Sequence, residues 1–181
     1  MQMIGRRAVL TALAGLCAGR PIPAAVARIR RWNPAKPTPA LDLKSVEGVR
    51  WSLQSLRGRV GVLNFWASWC EPCLVEMTQL NRLARRHERD DRLVVLGINY
   101  QEGEAGIRRF SQALSLGFPL LRDPDGVAFR AWGAELLPST VLVSRSARAS
   151  VAVEGQLDWD GVQAAQLLQS LLADDSSHAS G

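Results

Sequence analysis

Asn64-Phe65-Trp66-Ala67-Ser68-Trp69-Cys70-Glu71-Pro72-Cys73 is the stretch where an apolar run ends, a helical pattern begins, and two cysteines stand two residues apart. Upstream, Val60 to Ala67 is a continuous apolar run that suits a central strand covered on both faces. Downstream, from Pro72 to about Arg89, the residues Leu74, Met77, Leu80, Leu83 and Ala84 recur at helical spacing. Pro72 suits the first turn of that helix, where a missing N–H costs nothing. The cysteines therefore fall on a helix N-terminus, whose unpaired N–H groups and partial positive charge stabilise a thiolate. The thiolate is the nucleophile of thiol–disulfide exchange, and an unperturbed cysteine supplies little of it at neutral pH. Cys70 is the candidate attacking sulfur, and Cys73, one turn inward, the candidate resolving sulfur.

Two other uses of the pair are weaker. A structural zinc site needs two more ligands. The remaining cysteine is Cys17, the histidines are His87 and His178, and none forms a second knuckle, so no metal site is expected. A structural disulfide across so short a spacing would gain little loop entropy. Redox chemistry is the better reading.

The chain of 181 residues suits one domain with a real core, and its apolar fraction of 47% is ordinary for a globular protein. The formal charge of +5 is concentrated at the front. Without residues 1–27, which hold Arg6, Arg7 and Arg20, the count is 22 − 3 = 19 basic against 17 acidic residues, or +2. Nucleic-acid binding loses its main support, and Arg82, Arg85 and Arg86 read as the solvated face of a helix. Arg6-Arg7 followed by the apolar run Ala8 to Gly19, with Ala25-Val26-Ala27 as an A-x-A cleavage site, predicts a signal peptide over 1–27. Twin-arginine and Sec export both remain open, as does an uncleaved N-terminal anchor. Lipidation of Cys17 is disfavoured by the large Leu16 before it. Each export route points to a periplasmic or other extracytoplasmic location, where disulfide chemistry is normal.

Residues 28–40, with Pro34, Pro37 and Pro39, read as an extended linker, 41–173 as the folded domain, and 174–181 as a disordered polar tail. Within the domain, Val49 to Leu53 predicts a short strand and Leu93 to Asn99 a second buried one. Ala105 to Leu116 predicts a helix with Ile107, Phe110 and Leu114 on one face. Phe118 to Leu121 is a short extended piece, Asp123-Pro124-Asp125-Gly126 a turn, and Val127 to Trp132 a brief helix. Ser139 to Val143 and Ala149 to Glu154 predict a hairpin. Asp160 to Ala173 predicts a closing helix with Val162, Ala165, Leu168, Leu171 and Leu172 toward the core. Trp51, Trp66 and Trp132 are core candidates, whereas Trp69 is expected at the surface beside the nucleophile.

This order of elements is thioredoxin-like, and the chain resembles the exported TlpA/ResA branch of that superfamily. The resemblance rests on Asn64 to Cys73, Gly97-Ile98-Asn99-Tyr100, Asp123-Pro124-Asp125-Gly126 and Leu136-Leu137-Pro138-Ser139-Thr140. It covers about Leu41 to Leu172. It implies an α/β fold, a central mixed β-sheet flanked by helices, with an inserted strand–helix segment around Tyr100 to Asp125. It also implies a cis Leu137–Pro138 bond whose loop lies against the cysteines, leaving Leu137 to pair with an extended substrate. Glu76 follows Cys73 by three and shares its helix face. In ResA-like proteins an acidic residue there helps move protons at the cysteine pair. The catalytic candidates are thus Cys70, Cys73, Glu76 and Pro138, and Trp69, Glu71, Pro72 and Leu137 are expected to flank the substrate. Glu71 should oppose a thiolate at Cys70. Glu102 sits in the insertion, where related proteins place acidic residues near the site, but here it reads as a surface residue outside the catalytic set. Where relatives carry Asp-x-x-Gly in the hairpin, this chain has Ser144-Arg145-Ser146-Ala147-Arg148.

The resulting expectation is an exported, monomeric thiol–disulfide oxidoreductase that reduces specific protein disulfides. It would need no cofactor beyond the redox-active pair and would be recharged by a membrane thiol reductase. Apocytochrome c and a copper-assembly protein are the candidate targets. A disulfide-forming oxidase is the alternative in chemistry, and a copper metallochaperone the alternative in class.

Overall fold

Every residue from Val60 to Trp66 is buried, between a parallel neighbour at Leu93–Tyr100 and an antiparallel one at Ser139–Val143. The structure, a computed structural model, describes residues 27–173. The expected tail, and all of the expected signal peptide but Ala27, lie outside the described residues.

In chain order the strands and helices are β1 (Arg28–Arg31), β2 (Asp42–Lys44), β3 (Arg50–Ser52), β4 (Val60–Trp66), α1 (Glu71–His87), β5 (Leu93–Tyr100), α2 (Glu104–Leu114), β6 (Leu120–Asp123), α3 (Val127–Ala131), β7 (Ser139–Val143), β8 (Ala149–Glu154) and α4 (Val162–Ala173). The main sheet runs β1-β8-β7-β4-β5-β6, and β2 and β3 form a small hairpin of their own. The sheet is mixed, and helices cover it. Among the described residues no helix is long and apolar enough to cross a membrane.

Strand alternation sorts β4 into two cores. Val60, Val62 and Trp66 join one cluster with Met77, Leu80 and Leu168, from α1 and α4. Leu63 and Phe65 join the other, with Phe129 and Trp132. Asn64 points the same way as Val62 and Trp66, which sets a polar amide into the α1 side. Gly97 is required next to it. A Cβ there would meet Leu120 at 2.8 Å and the Trp66 indole nitrogen at 3.0 Å, too close for any side chain.

Three expectations need correction, and one open turn is resolved. The segment read as a linker begins with β1, which pairs antiparallel with β8 from Arg28 opposite Glu154 to Arg31 opposite Val151. Ile29 alone packs on the core, so the period of two was too short to see. In α1, Leu74 is exposed, and Cys73 and Glu76 take the buried face. In α4, Leu168 and Leu171 are buried and Leu172 packs on the core as expected, but Val162 and Ala165 are exposed and Ala164 takes the buried position in the first turn. Finally, the β7–β8 turn closes without a glycine. Ala147 takes φ 61°, and the Ser144 N–H donates to the Arg148 carbonyl at 2.8 Å.

Candidate active site

β4 ends at Trp66, opposite Asn99 of β5, and the chain turns through Ala67, Ser68 and Trp69 into α1. Cys70 is the N-cap residue of α1. Its N–H donates to the Ala67 carbonyl at 3.2 Å, and its own carbonyl accepts the Cys73 N–H at 3.0 Å. The two sulfurs are joined as a disulfide, with the Cα atoms 5.3 Å apart. Cys70 keeps 6% of its surface and Cys73 none, so of the two only the first cysteine reaches the surface.

A groove of about 420 Å3 opens over Cys70. Trp69, Glu71 and Pro72 form one wall, and Leu136 and Leu137 the other. Tyr100 and Phe129 back it, with ring centroids 4.5 Å apart. Trp69 is exposed and Leu137 half-buried. The Leu137–Pro138 peptide is cis. Pro138 itself is buried, and its carbonyl accepts the Gly155 N–H at 2.9 Å. Leu137 makes no backbone hydrogen bond among the described residues, which leaves its N–H and C=O for an extended segment. The structure thus brings all eight sequence-predicted site residues to the end of β4, α1 and the loop before β7.

Behind the disulfide, Glu76 is 1% exposed. Its carboxylate accepts the Leu157 N–H at 2.6 Å and the Asn64 side-chain amide at 3.0 Å. The same Asn64 nitrogen donates to Thr140 Oγ1 at 2.9 Å. Burial pushes the Glu76 carboxyl up to about 7, because the charged form loses its hydration. The Leu157 N–H, the nearby Trp159 indole and the Asn64 amide oppose that rise. The indole N–H of Trp159 nevertheless makes no hydrogen bond of regular geometry, so its share is weak. Glu76 can therefore take up or release a proton near neutral pH, on the buried face it shares with Cys73.

Glu102 is not the surface residue expected but is half-buried against the cysteine loop. Gln101 takes φ 58°, a left-handed turn that swings Glu102 back toward the cysteine loop. Its carboxylate accepts the Ser68 N–H at 2.7 Å, the Ser68 hydroxyl, and the Asn99 amide at 2.6 Å. Three donors on one carboxylate fix the peptide two residues ahead of Cys70. Asn64 and Thr140 were also missed. A lone Asn inside the apolar run of β4 was the signal for the first, and for Glu102 the signal was the resemblance, which places acidic residues of the insertion near the site.

The match to known proteins agrees with this geometry. Residues 34–148, more than half of the chain, match the AhpC/TSA family. The chain belongs to that family. It is 28% identical over 133 residues to the thiol-disulfide oxidoreductase ResA of Geobacillus thermodenitrificans, covering 74% of this chain and 75% of that protein. It is 36% identical over 92 residues to the thioredoxin-like protein YneN of Bacillus subtilis, and there the match spans 49% of this chain and about half (53%) of the relative. Among solved structures, the exposed lipoprotein thioredoxin of Streptococcus pneumoniae superposes with a TM-score of 0.64 at 25% identity, over 73% of this chain and 99% of that one. The fold is thioredoxin-like, and the chain is a thiol–disulfide oxidoreductase of the ResA type.

Proposed function

We propose that this oxidoreductase is exported and works as a reductant of specific protein disulfides. The observation that carries the reading is the asymmetry of the pair. Cys70 opens onto a groove lined by Leu137, whose backbone is unpaired, and Cys73 is sealed beside a carboxyl that titrates near neutral pH.

In the reduced protein, the Cys70 thiolate attacks one sulfur of the target disulfide and displaces the other as a thiolate. Trp69, Pro72 and Leu137 hold the target segment, with the Pro138 loop supplying backbone partners. Cys73 then attacks Cys70 in the mixed disulfide, and its proton passes to Glu76. The target leaves with two thiols, and the protein keeps the Cys70–Cys73 disulfide. Two electrons have moved, and no dissociable cofactor takes part. Glu71, one residue from Cys70, disfavours a strongly stabilised thiolate, which suits a reductant better than a strong oxidant. A membrane thiol reductase would restore the dithiol. Apocytochrome c before haem attachment and an oxidised copper-assembly protein are the target types we favour. The exposed lipoprotein relative supports an extracytoplasmic site of action.

The test is the reduction potential of the Cys70/Cys73 couple, equilibrated against a thiol redox buffer with Cys70→Ser as the inert control. We expect a value near about −270 mV, that of thioredoxin. A value near about −120 mV would mark a disulfide-forming oxidase and overturn the reductive direction.

A further inference from the structure

Next to the groove at Cys70 lies a second cleft of about 560 Å3, and Glu135 lines both. Its walls come from β1, the proline-containing segment after it, and the end of α3. Arg30, Arg31, Lys36 and Arg130 face it, against the single carboxylate of Glu135. Arg30 is engaged by Glu154 at 2.6 Å, and Arg130 donates to the Asp125 carbonyl at 3.0 Å. Arg31 and Lys36 are exposed and have no acidic partner among the described residues. These cations do not ride on a free tail. β1 is paired along its length with β8, and Trp32 beside it packs at a tilt against Trp132 with centroids 6.2 Å apart.

The groove over Cys70 has the opposite sign. Glu71 and Glu135 line it, neither carboxylate has a partner among the described residues, and no cation is present there. A bound chain that runs past Leu137 and Leu136 and out over Glu135 would meet negative charge at the sulfur and positive charge beyond it.

We propose that the preferred substrate is a protein disulfide flanked by an acidic segment, which docks in the cleft of Arg31, Lys36 and Arg130 while the disulfide lies over Cys70. The proposal rests on thiol–disulfide exchange at Cys70 and names the substrate class of that site. Glu71 and Glu135 repel acids placed directly at the disulfide, so the acidic residues must lie further along the segment. Single exposed ion pairs contribute little. A walled cluster of cations that meets a flexible acidic chain acts mainly by raising the encounter rate. An anionic lipid surface offers the same charge, but the shared Glu135 and the enclosing walls fit a segment that crosses from one depression to the other.

The experiment uses the full chain, reduced, and follows its oxidation by synthetic disulfide peptides that differ only in a distal flank of Asp or of Asn. A neutral small disulfide, 2-hydroxyethyl disulfide, serves as reference. At low salt the Asp-flanked peptide should react about tenfold faster than the Asn-flanked one. The preference should collapse in about 1 M salt, where screening is short-ranged. It should vanish in Arg31→Glu/Lys36→Glu/Arg130→Glu and shrink in the milder Arg31→Gln/Lys36→Gln, which leaves Arg130 on its carbonyl. Both variants should reduce 2-hydroxyethyl disulfide at the wild-type rate, which shows that they are folded. Equal rates for the two peptides with the wild-type chain overturn the proposal and leave exchange at Cys70 standing. If 2-hydroxyethyl disulfide itself does not react, the exchange reading has failed and the proposal falls with it. An acidic preference that survives the triple reversal, with loss of binding to phosphatidylglycerol vesicles instead, would assign the cations to lipid and also overturn it.

Discussion

Two carboxylates near the cysteine pair are held by similar hydrogen bonds. Glu76 accepts one backbone N–H and one asparagine amide, from Leu157 and Asn64. Glu102 accepts one backbone N–H and one asparagine amide, from Ser68 and Asn99, together with the Ser68 hydroxyl. What separates them is water. Glu76 is sealed in the α1 core, and Glu102 is only partly covered. Burial turns the first into a group that exchanges a proton near neutral pH. The second acts as a clamp on the loop ahead of Cys70. Residue type and partners alone do not decide the role of a carboxylate here; solvation does.

The largest effect should come from removing the titration. The folded pKa of Glu76 is raised from 4.5 to about 7, so between those values the native state holds a proton that the unfolded chain has lost. Stability must therefore fall as pH rises through that window, by about 3 kcal/mol in all, and level off above it. Urea unfolding of the disulfide-intact protein at pH 5 and pH 8 should show this fall. Glu76→Gln should abolish it, and a slope that persists in that variant would remove Glu76 as its source. Glu102→Ala should cost about 1 kcal/mol by the same unfolding, because water can replace a partly exposed acceptor. Combined with Glu76→Gln it should be additive to within about 0.5 kcal/mol, since the two carboxylates share no partner. A larger coupling would mean that the two carboxylates act through the disulfide as one unit. The smallest effect is a control far from both. Ala147→Gly relieves a left-handed alanine in the β7–β8 turn and should add at most about 1 kcal/mol, measured by the same unfolding and with the pH slope unchanged.

The contrast also marks what could be read in the chain of letters. The apolar runs of β4 and β5, the cysteine spacing and the position of Glu76 three residues on are local patterns, and local patterns survive in sequence. Glu102 depends on two things that do not: the register that sets Trp66 opposite Asn99, and the left-handed turn at Gln101. β1 escaped notice because Arg28, Arg30 and Arg31 leave Ile29 as its only core contact. The first turn of α4 was misread because a helix so rich in Ala and Leu offers several plausible faces, and tertiary packing chose the one with Ala164.

One contact at the start of the described chain governs how the molecule can be held. The Cα of Ala27 lies 3.7 Å from where a Cβ on Gly155 would stand, and Gly155 is the residue whose N–H is bonded to Pro138. The chain thus joins the domain beside the loop that faces the disulfide. Any anchorage of the chain ahead of Ala27 would attach on the same side of the domain as that loop. Partners held in the same surface as that anchor would meet the domain at a high effective concentration, and partners in free solution would meet it rarely.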